Sequence, residues 1–301
     1  MNLTTIPSGD AVLSAAYIAP ENPKAVLVLV HGMAEHKERY FPLMTYLSET
    51  GFACVITDLR GHGQSVEKPD DLGYFGKKGM EALLKDTEAV VAQARAWFPG
   101  VKLFLMGHSM GSLIVRSFLK RHDDRIDGLV VCGSPSPVGV AGLGVFLTRV
   151  IRLFKGDRYR SPLLEEMSTG AYQKKFQGEG LTNAWLSVNR ANVQAYNNDP
   201  LCGYRFTTNG YRALMQLLVD TYSEKGWAVT KPNLPVHFIA GSNDPCIASV
   251  KKFSKAVTFL RDRGYRQVSS KVYPGMRHEI LNETGREDVW LDLKDLLNNW
   301  L

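Results

Sequence analysis

Gly107-His108-Ser109-Met110-Gly111 sets one serine between two glycines, just after the apolar run Val101–Met106 and just before a helical pattern that starts at Ser112. A serine on so sharp a strand-to-helix turn is held in strained backbone geometry. Its hydroxyl is lifted above the sheet edge, and the glycines leave room for strand and helix to pass. The following helix points its positive end at charge developing beside that hydroxyl. The chemistry such a turn serves is nucleophilic attack by Ser109 on a carbonyl carbon.

A neutral hydroxyl is a weak nucleophile, so a base and an orienting acid must lie elsewhere in the chain. Strand-like Pro235–Ala240 runs into Gly241-Ser242-Asn243-Asp244, and strand-like Val268–Tyr273 runs into Pro274-Gly275-Met276-Arg277-His278. Serine, acid and histidine, each placed just past a strand's carboxyl end, form one of the known triad orders. His278 then takes the serine proton and returns it to the leaving group, while Asp244 fixes the imidazole tautomer and stabilises the imidazolium. The other place for an acid, after strand-like Gly128–Gly133, reads Ser134-Pro135 and offers no carboxylate.

A tetrahedral intermediate also needs hydrogen-bond donors for its oxyanion. The backbone N–H of Met110, next to the nucleophile, supplies one. The N–H of Met33 supplies the other, from the loop His31-Gly32-Met33-Ala34-Glu35-His36 that follows strand-like Ala25–Val30. Losing one such donor typically costs about 3 to 4 kcal/mol of transition-state stabilisation.

These residues need a scaffold, and the sequence patterning describes one. Strands at 25–30, 52–57, 101–106 and 128–133 alternate with helices near 37–50, 79–98 and 110–121. Met80, Leu83, Leu84, Val90, Val91, Ala94 and Trp97 repeat with a helical period. Such alternation predicts an α/β fold with a mostly parallel central sheet and helices on both faces. A chain of 301 residues, 45% hydrophobic and 22% charged, can bury the core this requires. The rhythm stops after Gly133, and about a hundred residues pass before the next strand, too many for one crossover. Residues 135–205 are therefore read as an inserted helical cap, on a core formed by 1–134 and 206–301 with a helix near 207–224.

Within that insertion, a helical projection of 139–155 puts Leu143, Phe146, Leu147, Val150, Ile151, Leu153 and Phe154 on one arc. Thr148, Arg149, Arg152 and Lys155 fall on the opposite one. Two readings follow. Either the apolar arc packs on the core beneath a solvated basic face, or it borders the site's entrance and meets lipid, with Phe146, Val150 and Ile151 contacting substrate.

The motifs together identify a resemblance. His31-Gly32-Met33-Ala34-Glu35-His36 with Arg39-Tyr40, Asp58-Leu59-Arg60-Gly61-His62-Gly63-Gln64-Ser65 and Gly107–Gly111 are similar to the monoacylglycerol lipase and lysophospholipase group of α/β-hydrolases. Asn198-Asp199-Pro200-Leu201, Gly241–Asp244 and His278–Glu283 match later blocks in the same order. The resemblance implies an α/β-hydrolase fold and a serine hydrolase acting on a small-molecule, lipid-like carboxylic ester. It also implies a cap whose apolar helix lies beside the entrance and could contact membranes. The same pattern covers lysophospholipases, general carboxylesterases and some peptidases. Met33 stands where smaller residues are frequent, which leaves the donor intact and narrows the acyl pocket. A binding protein on the same scaffold is the reading from another class, and the intact triad argues against it.

The remaining residues mostly exclude. No cofactor or metal is expected, since no phosphate loop and no zinc-type spacing of Cys54, Cys132, Cys202 and Cys246 appears. The net charge of +6 is not organised as a nucleic-acid-binding pattern. The absence of a long apolar run, a secretory leader or a disulfide framework gives a cytoplasmic expectation. Nothing in the sequence fixes an oligomeric state. His31, His36 and His62 are expected to hold the loops at the catalytic edge together, His237 to sit in the core, and His122 to complement a helix end. His108 is expected to point away from the serine, and Cys246 to be a buried thiol near Asp244.

Overall fold

The computed structural model describes residues 1–137 and 141–301. Its strands are β1 (Asn2–Ser8), β2 (Ala11–Ile18), β3 (Ala25–Val30), β4 (Phe52–Thr57), β5 (Lys102–His108), β6 (Gly128–Cys132), β7 (Val236–Gly241) and β8 (Val268–Tyr273). They form one eight-stranded sheet in the order β1-β2-β4-β3-β5-β6-β7-β8. From β4 to β8 all neighbours run parallel, and β2 is antiparallel to both β1 and β4. β3, β4 and β6 are buried at every position. That is why their sequences read as near-continuous apolar runs rather than as alternations.

The helices are α1 (Phe41–Glu49), α2 (Met80–Trp97), α3 (Met110–His122), α4 (Ala141–Lys155), α5 (Pro162–Glu165), α6 (Ala171–Phe176), α7 (Arg190–Asn198), α8 (Thr208–Tyr222), α9 (Val250–Asp262) and α10 (Arg286–Asn299). Two apolar clusters cover the two faces of the sheet. One joins Leu83, Val91, Leu113, Phe118, Leu217 and Phe253, from α2, α3, α8 and α9. The other joins Leu43, Leu47, Trp290 and Leu297, from α1 and α10. The expected parallel sheet with helices on both faces is what the chain forms.

Two features depart from the sequence expectations. The N-terminal hairpin β1–β2 went unread. β1 is an edge strand with mostly exposed side chains and a proline, so neither an apolar run nor a clean alternation marks it. The second departure is α4. Its Gly139 and Val140 end of the projected segment lies outside the described residues. In the rest, the face turned inward is Ala141, Gly144 and Thr148, with Thr148 fully buried, whereas Leu143, Phe146, Leu153 and Phe154 are 61%, 61%, 80% and 77% exposed. The bulky arc is therefore not packed on the core, although Val145, Leu147 and Ile151 contact it partially. Small residues make the close approach here: a Cβ at Gly144 would lie 3.0 Å from Met215 Sδ of α8. Thr148 is tolerated inside because its hydroxyl donates to the Val145 carbonyl at 2.7 Å.

Candidate active site

The carboxyl ends of β3, β5, β7 and β8 converge on one edge of the sheet. At the end of β5, Ser109 has φ 54° and ψ −118°, a region that non-glycine residues rarely occupy. Two close approaches force it. A Cβ on Gly107 would lie 2.3 Å from the Gly111 carbonyl oxygen, and one on Gly111 would lie 2.1 Å from that of Val30. Only hydrogen fits at both positions, so strand, helix and the neighbouring β3 pinch the serine turn between them. The Ser109 N–H donates to the Cys132 carbonyl at 2.9 Å, which ties the turn to the end of β6.

The loop after β3 lies against this turn, since a Cβ on Gly32 would come within 3.1 Å of Ser109 Cβ. Glu35 holds the loop in shape. Its carboxylate accepts from the Gly32 N–H at 2.6 Å, from Tyr40 Oη at 3.0 Å and from Arg39 at 2.9 Å. His108 Nδ1 is 3.2 Å from the same carboxylate. Burial alone would raise Glu35, but His108 and Arg39 hold it well below the usual carboxylate range. The opposite face of His108 is occupied as well, because its Nε2 sits 3.2 Å from the His278 carbonyl. His108 thus bridges Glu35 and the histidine loop and braces the two against each other.

Asp244 and His278 meet beyond the ends of β7 and β8. Asp244 Oδ2 is 3.0 Å from His278 Nδ1, and both side chains are buried. Asp244 Oδ1 accepts from the Cys246 N–H at 2.8 Å, which fixes the carboxylate. The imidazole lies between His108 and Trp185, with ring centroids 4.7 and 5.1 Å away. Its Nε2 forms no hydrogen bond with Ser109 Oγ in this arrangement, and its polar neighbour is Cys246 Sγ at 3.9 Å. Hydrogen bonds to a nucleophile are commonly long without substrate and tighten once it binds.

Ser109, His278, Met33 and Met110 all border one cavity of about 410 Å³. Leu214, Met215 and Leu218 of α8 and Ala141 and Gly144 of α4 form an apolar wall, and Glu165, Gln173, Thr182 and Asn183 form a more polar one. Phe146, Val150 and Ile151 are not in this lining. Phe146 and Val150 face outward and Ile151 is partly packed on the core.

His31 Nε2 accepts from the Leu59 N–H at 2.9 Å and so links the loops after β3 and β4. His36 lies between Glu38 Oε2 at 2.6 Å and Asp199 Oδ2 at 2.8 Å. His62 packs among Phe75, Phe206 and Tyr204. His122 pairs with Glu88 at 3.1 Å. His237 is only partly buried and meets Ser269 Oγ at 2.7 Å, so it is not the core residue its strand position implied. Residues that the sequence reading passed over include Trp185 against the imidazole and the Arg39–Glu279–Asn192 cluster beside it. Glu35, Arg39 and Glu279 stood within recognised motifs, but nothing local in the sequence pairs residues 240 positions apart.

The model of the serine aminopeptidase S33 family matches residues 21–285. The chain is 26% identical over 286 residues to a monoacylglycerol lipase of Mycolicibacterium smegmatis, covering 95% of this chain and 92% of that one. It is 26% identical over 277 residues to phospholipase YtpA of Bacillus subtilis, covering 90% and 93%. Among solved structures, a thermostable carboxyl esterase from Bacillus coagulans superposes with a TM-score of 0.89 at 24% identity, covering 99% and 98%. A monoglyceride lipase from Saccharomyces cerevisiae does so with 0.73 at 20% identity, covering 99% and 95%. At such identities the superpositions speak for the fold. No helix among the described residues is long and apolar enough to cross a membrane. The chain belongs to the serine aminopeptidase S33 family and is a serine hydrolase of esterase and lipase type on an α/β-hydrolase fold.

Proposed function

We propose that this hydrolase cleaves carboxylic esters of lipophilic acyl groups, monoacylglycerols or lysophospholipids foremost, through an acyl-enzyme on Ser109. His278 acts as the base and then as the acid, oriented by Asp244. The N–H groups of Met33 and Met110 receive the oxyanion. The observation that carries the reading is the strained Ser109 turn opening onto a cavity with an apolar wall large enough for an acyl chain. The names borne by the relatives, a monoacylglycerol lipase and a phospholipase, point to the same substrate class.

In this reading 135–205 is a cap over the cavity, and its entrance is made for a surface. Leu143, Phe146, Val150, Leu153 and Phe154 present an exposed apolar face on α4, with the exposed Arg149, Arg152 and Lys155 elsewhere around the helix. A basic amphipathic helix of this kind lies at a membrane interface with its apolar side down. Phe146 and Val150 then act on lipid-borne substrate before it enters the cavity.

The test is a panel of p-nitrophenyl esters of graded chain length with a monoacylglycerol, a lysophospholipid and an aminoacyl amide. Specificity constants should climb with acyl length until the cavity is full, and the amide should be the poorest substrate. A preference for acetate or for the amide would replace this reading with a general esterase or a peptidase.

A further inference from the structure

We propose that a zinc-class divalent cation binds across His278 Nε2 and Cys246 Sγ and reversibly blocks the active site. Ligand atoms from Asp244, Cys246 and His278 all lie within 4.8 Å of one another, and all three residues are buried. The atoms are not equivalent. Asp244 Oδ2 occupies Nδ1 of the imidazole at 3.0 Å, which leaves Nε2 with its lone pair toward Cys246 Sγ, 3.9 Å away. A carboxylate on one ring nitrogen and a metal on the other is the usual outer-shell arrangement of histidine–zinc sites.

The spacing fits an ion. With Zn–N near 2.0 to 2.1 Å and Zn–S near 2.3 Å, a tetrahedral centre sets nitrogen and sulfur about 3.6 Å apart. The pair therefore needs to close by only a few tenths of an ångström. Cys246 and His278 both border the cavity, so an ion can enter by the substrate's route and complete its shell with water there. Thiolate with imidazole is a donor set that zinc and its analogues prefer over calcium and magnesium. At rest the sulfur is a thiol, because burial and the neighbouring Asp244 push it up. Binding therefore releases one proton from Cys246 to solvent as the metal–sulfur bond forms.

The other group of this kind, His36 with Asp199 and Cys202, is closed to a cation. Both ring nitrogens of His36 are already committed, to Glu38 and to Asp199. Of these two groups, found among the described residues, the one at His278 keeps a nitrogen open.

Binding does not depend on the proposed mechanism, but blocking does, since it works by occupying the nitrogen that must accept the serine proton. The experiment separates the two. Cobalt(II) is added to Ser109→Ala protein, and the near-ultraviolet thiolate-to-cobalt charge-transfer band is recorded. The band is expected there and should vanish when Cys246→Ala is added. Separately, ester hydrolysis by the protein with Ser109 intact is measured against buffered zinc. Zinc should inhibit it reversibly, with activity restored by EDTA. Measured against its own zinc-free rate, Cys246→Ala should need at least tenfold more zinc for half-inhibition than the protein with Cys246 intact. Cys246→Ser, closer in size, serves if the alanine variant melts early. No cobalt band, or equal zinc sensitivity with and without the Cys246 sulfur, overturns the site. A Cys246-dependent band with unaltered hydrolysis overturns the blocking step and, with it, His278 as the base.

Discussion

Arg39 and Glu279 form a two-pronged ion pair, Nη1 to Oε1 and Nη2 to Oε2 both at 2.6 Å, that joins the segment after β3 to the segment after β8. The same guanidinium also reaches Glu35 at 2.9 Å, and Glu35 fixes the Gly32 N–H. One side chain thereby sets the spacing between the residues proposed to receive the oxyanion and the residue proposed to move the proton. Lysine cannot reproduce the fork. Arg39→Lys should lower kcat on the order of 10²-fold with little change in KM, since positioning rather than binding is lost. Glu279→Ala should destabilise the fold by roughly 1 to 3 kcal/mol, because it leaves the part-buried guanidinium with Glu35 as its remaining carboxylate partner. Steady-state kinetics and chemical denaturation check both, and a KM effect without a kcat effect would place Arg39 in substrate binding.

Ser109 stores strain. Its φ of 54° with ψ of −118° costs a side-chain-bearing residue on the order of 1 to 3 kcal/mol and costs glycine almost nothing. Ser109→Gly should abolish hydrolysis and raise thermal stability. Ser109→Ala should abolish it without a comparable gain. Calorimetry on the two variants separates strain from the loss of the hydroxyl, and equal melting temperatures would remove strain from the account.

The pinch that creates this strain was legible in the sequence, since Gly107 and Gly111 are spaced for it. So were the strands from β3 onward and the Asp244–His278 pair, because each of the two follows a strand-like run whose end the sequence marks with a glycine, Gly241 or Gly275. The inward face of α4 was not legible. Hydrophobic periodicity assumes that the largest apolar side chains go inside, whereas α4 approaches α8 through Ala141, Gly144 and Thr148 and leaves Phe146 and Phe154 outside. Trp185 escaped notice for a different reason. It sits in an irregular segment with no periodic pattern, and its contact with His278 arises from the tertiary fold alone.

His36 makes stability depend on pH. Burial disfavours its cation, but hydrogen bonds to Glu38 and Asp199 outweigh this and raise its pKa. Glu38 is held down to about 2 by His36 and Lys37 against its own desolvation. A raised histidine stabilises fully below its unfolded value of about 6.5 and loses that contribution as pH climbs through the folded value. The lowered carboxylate contributes above its unfolded value of about 4.3 and loses that only as pH falls toward about 2. His36→Gln should therefore lower the melting temperature more at pH 5.5 than at pH 9. An equal drop at both would mean that His36 contributes only packing.

Gly144 sets the room available to an acyl chain. A Cβ there meets the Met215 side chain at 3.0 Å, and both residues border the cavity. Gly144→Val should leave p-nitrophenyl acetate hydrolysis nearly intact and flatten the rise of kcat/KM with chain length. The loss should be roughly fourfold for each methylene no longer buried, at about 0.8 kcal/mol per CH₂. Phe146→Ser with Val150→Ser, outside the cavity, should instead weaken hydrolysis of vesicle-borne monoacylglycerol and spare soluble short esters. Should both sets of variants slow every ester by one common factor, α4 is structural only.

The most direct test of the account is the mass of a trapped covalent enzyme. A fluorophosphonate, and separately a slowly turned-over long-chain ester quenched in acid, should each add one adduct, mapped by peptide sequencing to Ser109. Ser109→Ala should carry none, and its kcat should fall by roughly 10⁴- to 10⁶-fold. An adduct on another residue, or hydrolysis that survives in Ser109→Ala, would contradict the assignment of Ser109 as the nucleophile.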